Sequence, residues 1–224
     1  LTGTSGSETI RGDARNNTIL GWSGDDNLVA GAGADLLVGG GGNDVLWGEN
    51  GSDRYRYQLG DGNDVIRDYG YSYSGAVDID VLELGAGITP FGVNVSQVDS
   101  GRDFQLLIRS SNETITIDSG VDSYFNYGVE QIVFDNGTVW SYADILAESL
   151  KGTSGDDVIT GDASGNTISG NGGNDRIYGR EGSDRLSGGT GNDRLFGDQG
   201  HDTYVFNLGE GQDSIEDNGY ATNE

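Results

Sequence analysis

The sequence predicts an all-β fold: two parallel β-rolls, each a two-sheet solenoid, separated by a mixed β-rich capping region with one short helix. Three observations predict it. A nine-residue repeat occurs in two uninterrupted runs, every repeat holds an apolar residue at one fixed place, and glycine supplies 41 of 224 residues, against a usual share of about 7%. The expected segments are residues 3–68 for the first roll, 69–151 for the capping linker, 152–217 for the second roll and 218–224 for the truncated start of a second linker.

The first run starts at Gly3 and reads GTSGSETIR, GDARNNTIL, GWSGDDNLV, AGAGADLLV, GGGGNDVLW and GENGSDRYR, then an eleven-residue variant, YQLGDGNDVIR, from Tyr57. Position 1 is nearly always Gly, position 4 usually Gly and position 6 usually Asp. Position 8 is always apolar: Ile10, Ile19, Leu28, Leu37, Leu46, Tyr55 and Ile66. One such residue in nine cannot make an amphipathic helix, and each glycine would cost a helix interior about 1 kcal/mol. A six-residue turn followed by a three-residue strand, its middle side chain inward, satisfies the period. Two nonamers then complete one coil, successive strands fall on opposite sheets, and each turn stacks on the turn eighteen residues later. Glycine suits such turns because they demand positive φ and close backbone approach.

Between the runs the pattern changes. Val77 to Leu84, Phe104 to Arg109 and Thr114 to Ile117 alternate and read as strands. Ile132 to Trp140 reads as a hairpin around Asn136-Gly137. Ser141, with Asp144 three residues on, caps a short helix running to about Leu150. An open roll exposes an unpaired edge and an apolar core end, so this region is expected to cover the first roll and start the second. Its aromatics Tyr69, Tyr71, Tyr73, Tyr124, Phe125 and Tyr127 are read as packing across the linker sheets, with stacking on sugars as the sharper alternative.

The second run starts at Gly152 and reads GTSGDDVIT, GDASGNTIS, GNGGNDRIY, GREGSDRLS, GGTGNDRLF and GDQGHDTYV, then the variant FNLGEGQDSIE from Phe206. Its position-8 residues are Ile159, Ile168, Ile177, Leu186, Leu195, Tyr204 and Ile215. Gly3 to Tyr71 slides onto Gly152 to Tyr220 without a gap and with about half the positions identical, so the chain holds a duplicated cassette. Because an unfinished linker follows, the native chain is expected to continue past Glu224.

With 37 acidic against 12 basic residues the net charge is −25, which argues against nucleic acid or an anionic membrane as partner and makes a divalent cation the natural counter-charge. High charge with 33% hydrophobic residues would ordinarily suggest disorder, but a disordered acidic tract leaves the position-8 register unexplained. The absence of cysteine excludes disulfides, thiolate metal sites and cysteine nucleophiles. No apolar run approaches about 18 residues and Leu1 opens without a charged leader, so neither a membrane span nor a secretory leader is expected in this sequence.

Stacking gathers the position-6 groups into columns: Glu8, Asp26, Asp44 and Asp64 on one edge of the first roll, Asn17, Asp35 and Asp53 on the other. The second roll gathers Asp157, Asp175, Asp193 and Asp213 on one edge, and Asn166, Asp184 and Asp202 on the other. Unscreened, such columns oppose folding. Ca²⁺ resolves the conflict, since it takes about six to eight hard oxygen ligands from carboxylates and carbonyls, whereas Mg²⁺ demands tighter octahedral geometry. Zinc finds no Cys and a single His, His201, read as a solvated turn residue. The candidate metal ligands are Asp26, Asp35, Asp44, Asp53, Asp64, Asp157, Asp175, Asp184, Asp193, Asp202 and Asp213. Pairing all the position-6 groups, Glu8, Asn17 and Asn166 included, along each edge gives three plus two intervals per roll and so about ten calcium ions, fewer where those three residues weaken a site.

These nonamers resemble the calcium-binding nonapeptide repeats of the RTX (repeats-in-toxin, haemolysin-type) family, G-G-x-G-x-D-x-U-x, which GGGGNDVLW and GGTGNDRLF fit at every defined position. The resemblance implies right-handed β-rolls, with Ca²⁺ held between successive coils by the position-6 Asp and turn carbonyls. It also implies a secreted, extracellular or cell-surface bacterial protein, exported by the type I secretion machinery and folding once outside. The linker resembles those between repeat blocks of adenylate cyclase toxin and the haemolysin-type calcium-binding related domain.

Enzymatic readings are weaker. The pairs Asp25-Asp26 and Asp156-Asp157 are accounted for by the nonamers rather than by a glycosidase acid and base. GDGND and GEGQD lack the lysine of a phosphate loop. Neither H-E-x-x-H nor G-x-S-x-G occurs. The expected role is a non-enzymatic calcium-binding module, monomeric as this fragment, serving secretion and stabilisation of a larger toxin or adhesin. The alternatives are an accessory module of a secreted enzyme such as an alginate epimerase, lipase or protease, and a ligand- or glycan-binding module.

Overall fold

The computed structural model describes residues 1–68, 78–99, 103–118 and 128–217; the six linker aromatics and residues 218–224 lie outside the described residues. The chain divides into two compact units, one of Leu1–Val95 with Arg102–Ile145, the other of Ser96–Gly101 with Leu146–Glu224. No helix among the described residues is long and apolar enough to cross a membrane.

In the first unit, β1 (Thr9–Arg11), β2 (Thr18–Ser23), β3 (Asn27–Ala32), β4 (Leu36–Gly41), β5 (Val45–Asn50), β6 (Arg54–Tyr57) and β7 (Asp64–Arg67) alternate between two parallel sheets. The eighteen-residue register holds: Ile10 pairs with Leu28, Ile19 with Leu37, Leu28 with Leu46 and Leu37 with Tyr55. Leu46 pairs with Ile66, absorbing the two extra residues of the variant repeat. The position-8 side chains from Ile19 to Ile66 are buried, while Ile10, on edge strand β1, is half-buried. Strands β2 to β5 are six residues long rather than three. They run on into the next turn because its residues also pair between coils, as in Trp22 with Gly40 and Gly31 with Glu49.

The linker continues both sheets. It supplies β8 (Val81–Leu84), the 3-10 turn Pro90–Gly92, β9 (Val93–Val98), β10 (Asp103–Ile108), β11 (Glu113–Asp118), β12 (Gln131–Phe134) and β13 (Val139–Ser141). The sheet orders are β1-β3-β5-β7-β11-β10-β9 and β13-β12-β8-β6-β4-β2. Parallel addition carries on through β11, β8 and β12, and is then closed by antiparallel β10 and β13. Leu82, Leu84, Phe104, Ile115, Ile117, Ile132 and Phe134 extend the core. The hairpin turns at Gly137, whose φ of +83° favours glycine. β9 and its 3-10 turn have no counterpart in the sequence reading, and of the strand expected over Val77 to Leu84 the described residues show Val81–Leu84, Val77 itself lying outside them. Ile79 instead behaves as a turn residue, its N–H donating to Ser52 Oγ at 3.1 Å.

The helix α1 (Tyr142–Ser149) is capped as expected: Ser141 N–H donates to Asp144 Oδ2 at 2.9 Å and Asp144 N–H to Ser141 Oγ at 3.4 Å. In the second unit, β14 (Val158–Thr160), β16 (Arg176–Tyr178), β18 (Arg194–Phe196) and β20 (Ser214–Glu216) make one parallel sheet; β15 (Thr167–Ser169), β17 (Arg185–Ser187) and β19 (Thr203–Val205) make the other. All are three-residue strands centred on position 8. Ile159, Ile168, Ile177, Leu186 and Leu195 are buried, but Ile215, on outer strand β20, is 45% exposed.

Candidate metal centre

The turns between strands carry the position-6 side chains, and the stacking gives each the same bond. Asp44 Oδ1 accepts the N–H of Asp26 at 2.7 Å, Asp64 Oδ1 that of Asp44 at 2.9 Å, and Asp53 Oδ1 that of Asp35 at 2.8 Å. Glu8 and Asn17 donate their amides to Asp26 and Asp35. The second roll repeats the ladder through Asp157, Asp175, Asp193 and Asp213, and through Asn166, Asp184 and Asp202. Each carboxylate thus spends one oxygen on the coil before it. The other oxygen, Oδ2, is buried without a partner in Asp26, Asp35, Asp44, Asp53, Asp175, Asp184, Asp193 and Asp202.

The two opening turns of each roll differ. Thr4 N–H donates to Glu8 Oε2 at 3.1 Å and Asp13 N–H to Asn17 Oδ1 at 2.8 Å; Thr153 N–H donates to Asp157 Oδ2 at 2.6 Å and Asp162 N–H to Asn166 Oδ1 at 2.9 Å. The position-6 group is therefore satisfied within its own turn. Asp157, a candidate ligand, differs in this from the eight interior aspartates. From the third turn onward position 2 takes positive φ in both rolls, as at Trp22 (+83°), Gly40 (+96°), Asn171 (+70°) and Arg180 (+75°).

A second ladder runs beside the first in the opposite sense. The position-5 side chains of Asp25, Asn43 and Asn63 accept the amides of Asn43, Asn63 and Thr114, and those of Asp156, Asn174 and Asn192 accept the amides of Asn174, Asn192 and Gln212. This divides the adjacent acidic pairs by role: Asp25 faces solvent and holds the next coil, while Asp26 is buried at 2% exposure.

The interior carboxylates have poor electrostatics for anions. Burial raises Asp44 and Asp175 to about 6, Asp53 to about 7 and Asp64 to about 8, with the bond from the preceding amide only partly offsetting it and neighbouring carboxylates adding to it. Asp26, Asp35, Asp184 and Asp193 shift upward for the same leading reason. Position 1 adds convergent oxygens. A Cβ on Gly21 would stand 2.4 Å from both Asp26 Oδ2 and the Gly39 carbonyl oxygen, and one on Gly170 would stand 2.1 Å from Asp175 Oδ2 and 2.4 Å from the Gly188 carbonyl oxygen. Hard oxygens so gathered, carboxylate and carbonyl, with the carboxylate Oδ2 atoms unpaired, fit calcium.

The family model of the RTX calcium-binding nonapeptide repeat, four copies long, matches residues 2–37, 29–66, 142–177, 151–186, 169–204 and 178–215, more than half of the chain. The chain belongs to this family. The haemolysin-type calcium binding protein related domain matches residues 103–144, within the linker. No curated protein matches. Among solved structures, the crystal structure of extracellular lipase LipA from Serratia marcescens is similar at 17% identity with a TM-score of 0.20, over 96% of this chain and 31% of that one. The chain therefore spans about a third of that lipase's length.

The first RTX ladder runs further than the nonamers. Asp53 N–H donates to Asp80 Oδ1, and Asp80 N–H to Glu130 Oε2, both at 2.6 Å. Asp80-Val81-Leu82 and Glu130-Gln131-Ile132 keep the acid-x-apolar ending of an RTX repeat, and this was the available signal. The other edge stops at Asp64, because Ile115, fully buried, takes the next position-6 place.

Proposed function

We propose that this chain is a calcium-dependent folding module of a larger secreted bacterial toxin or adhesin, exported through a type I secretion system and acting structurally rather than catalytically. The observation that carries this reading is the stack of eight buried carboxylate oxygens without partners. Calcium supplies the positive charge and the demand for oxygen ligands that such a stack lacks. The eight interior aspartates, with Asp64 and Asp213 closing their ladders, would hold it at about ten sites between coils once the rungs from Glu8, Asn17, Asp157 and Asn166 are counted; Asp157, tied to Thr153, contributes least. About twenty positive charges would then nearly neutralise the chain.

Metal that binds only the folded form stabilises it by RT ln(1 + [L]/Kd) per site, so several weak sites sum to a steep switch. Extracellular modules bind at about 10⁻⁴–10⁻³ M, a range that keeps the chain unfolded in the cytosol and folded outside. Far-UV circular dichroism during a calcium titration from EGTA tests this. A steep gain of β-structure near millimolar calcium, absent with magnesium, is expected; a chain fully folded in EGTA at neutral pH would refute it. The fragment should sediment as a monomer across the titration.

A further inference from the structure

The first roll and its cap meet at Asp53, Asp68 and Asp80, which are 0%, 1% and 2% exposed. One carboxylate oxygen from each lies within 4.8 Å of the others. Asp53 belongs to the last nonamer; Asp68 and Asp80, the latter the next rung of its ladder, follow it in the chain beyond the nonamer run. Two of the oxygens have known duties: Asp80 Oδ1 accepts the amide of Asp53, and Asp68 Oδ2 accepts the hydroxyl of Tyr55 at 2.6 Å. Asp53 Oδ1 accepts the amide of Asp35, and Asp53 Oδ2 is buried with no partner. The nearby guanidinium groups are engaged elsewhere, Arg54 and Arg56 with Glu83 and Arg67 with Asp118.

The geometry at Gly48 shows where these oxygens aim. A Cβ there would lie 2.4 Å from Asp53 Oδ2, 2.6 Å from Asp68 Oδ2 and 2.2 Å from Tyr55 Oη. Three oxygens thus converge on one point beside a residue that has no side chain. The arrangement is echoed 149 residues on: Tyr204 Oη and Asp202 Oδ2 are buried without partners and converge beside Gly197, at 2.2 Å and 2.4 Å from its would-be Cβ.

We propose that Asp53, Asp68 and Asp80 form an additional divalent-cation site, built from one repeat residue and two cap residues, which ties the closing of the first roll to calcium. This deepens the reading that the ladders bind calcium and rests on it. Three buried carboxylates with an unpaired oxygen need a cation to stay together, and oxygens spread over 4.8 Å suit an ion bound at about 2.3–2.6 Å. The site differs from a ladder rung in drawing on Asp68, whose Oδ2 accepts the hydroxyl of Tyr55.

The test counts bound calcium by equilibrium dialysis in the full 224-residue chain and in Asp68→Asn, at saturating calcium, with circular dichroism on both. Loss of one ion per chain with retained β-structure is expected. An unchanged count in a folded variant would overturn the proposal. Should Asp68→Asn not fold, a long-wavelength anomalous map from crystals of the unaltered chain in calcium decides: a peak among Asp53, Asp68 and Asp80 supports the site, and peaks at the ladder aspartates without one there overturn it. A chain binding no calcium anywhere would instead overturn the function proposed above.

Discussion

The amide of Asp26 donates to Oδ1 of Asp44 at 2.7 Å, and Oδ2 of that same carboxylate is buried with nothing to bond it. One side chain therefore spaces the coils with one oxygen and keeps the other unbonded, the oxygen that the proposed function assigns to a cation. Removing such a carboxylate should cost more than a hydrogen bond. For Asp184→Ala, which strands the Asn166 amide, the loss is about 1.5–3 kcal/mol from the charged bond alone, plus the affinity of the sites it serves. The calcium midpoint should move upward in a dichroism titration; an unchanged midpoint would refute the edge assignment.

Asn166 provides the contrast. Its Oδ1 is held by the Asp162 amide of its own turn at 2.9 Å. Asn166→Ala should weaken the opening turn by about 1 kcal/mol while leaving the number of bound ions unchanged, which equilibrium dialysis reads directly.

Gly42 has φ of +149°, and a Cβ there would stand 2.2 Å from the Gly24 carbonyl oxygen. Contact with backbone one coil away leaves no flexible neighbour to yield. Gly42→Ala should abolish the calcium-induced gain in β-structure. Gly137→Ala, at φ of +83° with nothing within 4 Å, should cost only about 1–2 kcal/mol. Equal effects of the two would refute coil contact as the reason for position-4 glycine.

Trp22 holds φ of +83° and is 62% exposed. Left-handed backbone costs a non-glycine residue about 1–2 kcal/mol, and little packing offsets it here. Trp22→Gly should lower the calcium midpoint and raise the thermal midpoint in saturating calcium.

The pH dependence follows from the upward shifts at Asp44, Asp53, Asp64 and Asp175, to between about 6 and about 8. Between the ordinary carboxylate value and these, the folded chain holds protons that the unfolded chain releases. Stability from this source is fully present below about pH 4 and is lost as pH rises through 6 to 8. In EGTA, acidifying from pH 8 to pH 5 should raise β-content. Should it not, the carboxylate columns are not what resists folding without metal.

The coil was legible because its period is fixed in the chain: fourteen apolar position-8 residues specify the register that β1 to β7 and β14 to β20 adopt. Strand length was not, because pairing at Trp22 and Gly31 depends on backbone alone. The acidic column of Asn17, Asp35 and Asp53 was legible as far as Asp53. Its continuation into Asp80 and Glu130 was hidden because 27 and 50 residues, not 18, separate the rungs. The position-5 ladder was missed because Asp25, Asn43 and Asn63 differ in charge yet share the one property used, a carbonyl-type oxygen. Glu8 and Asn17 looked like decayed sites in sequence; in the fold each closes the turn to which it belongs.

That closure sets where a roll can begin. Thr4 and Thr153 are each followed nine residues later by an aspartate, Asp13 and Asp162, and these side chains also accept the amides of Gly6, Arg15, Gly155 and Ser164. Such turns need no neighbour beneath them, whereas one starting at Gly170 would carry Asn171 in left-handed backbone with no coil below to hold it. The smallest piece of roll that carries its own closed start is therefore longer than nine residues, since it spans both Thr4 and Asp13, or both Thr153 and Asp162.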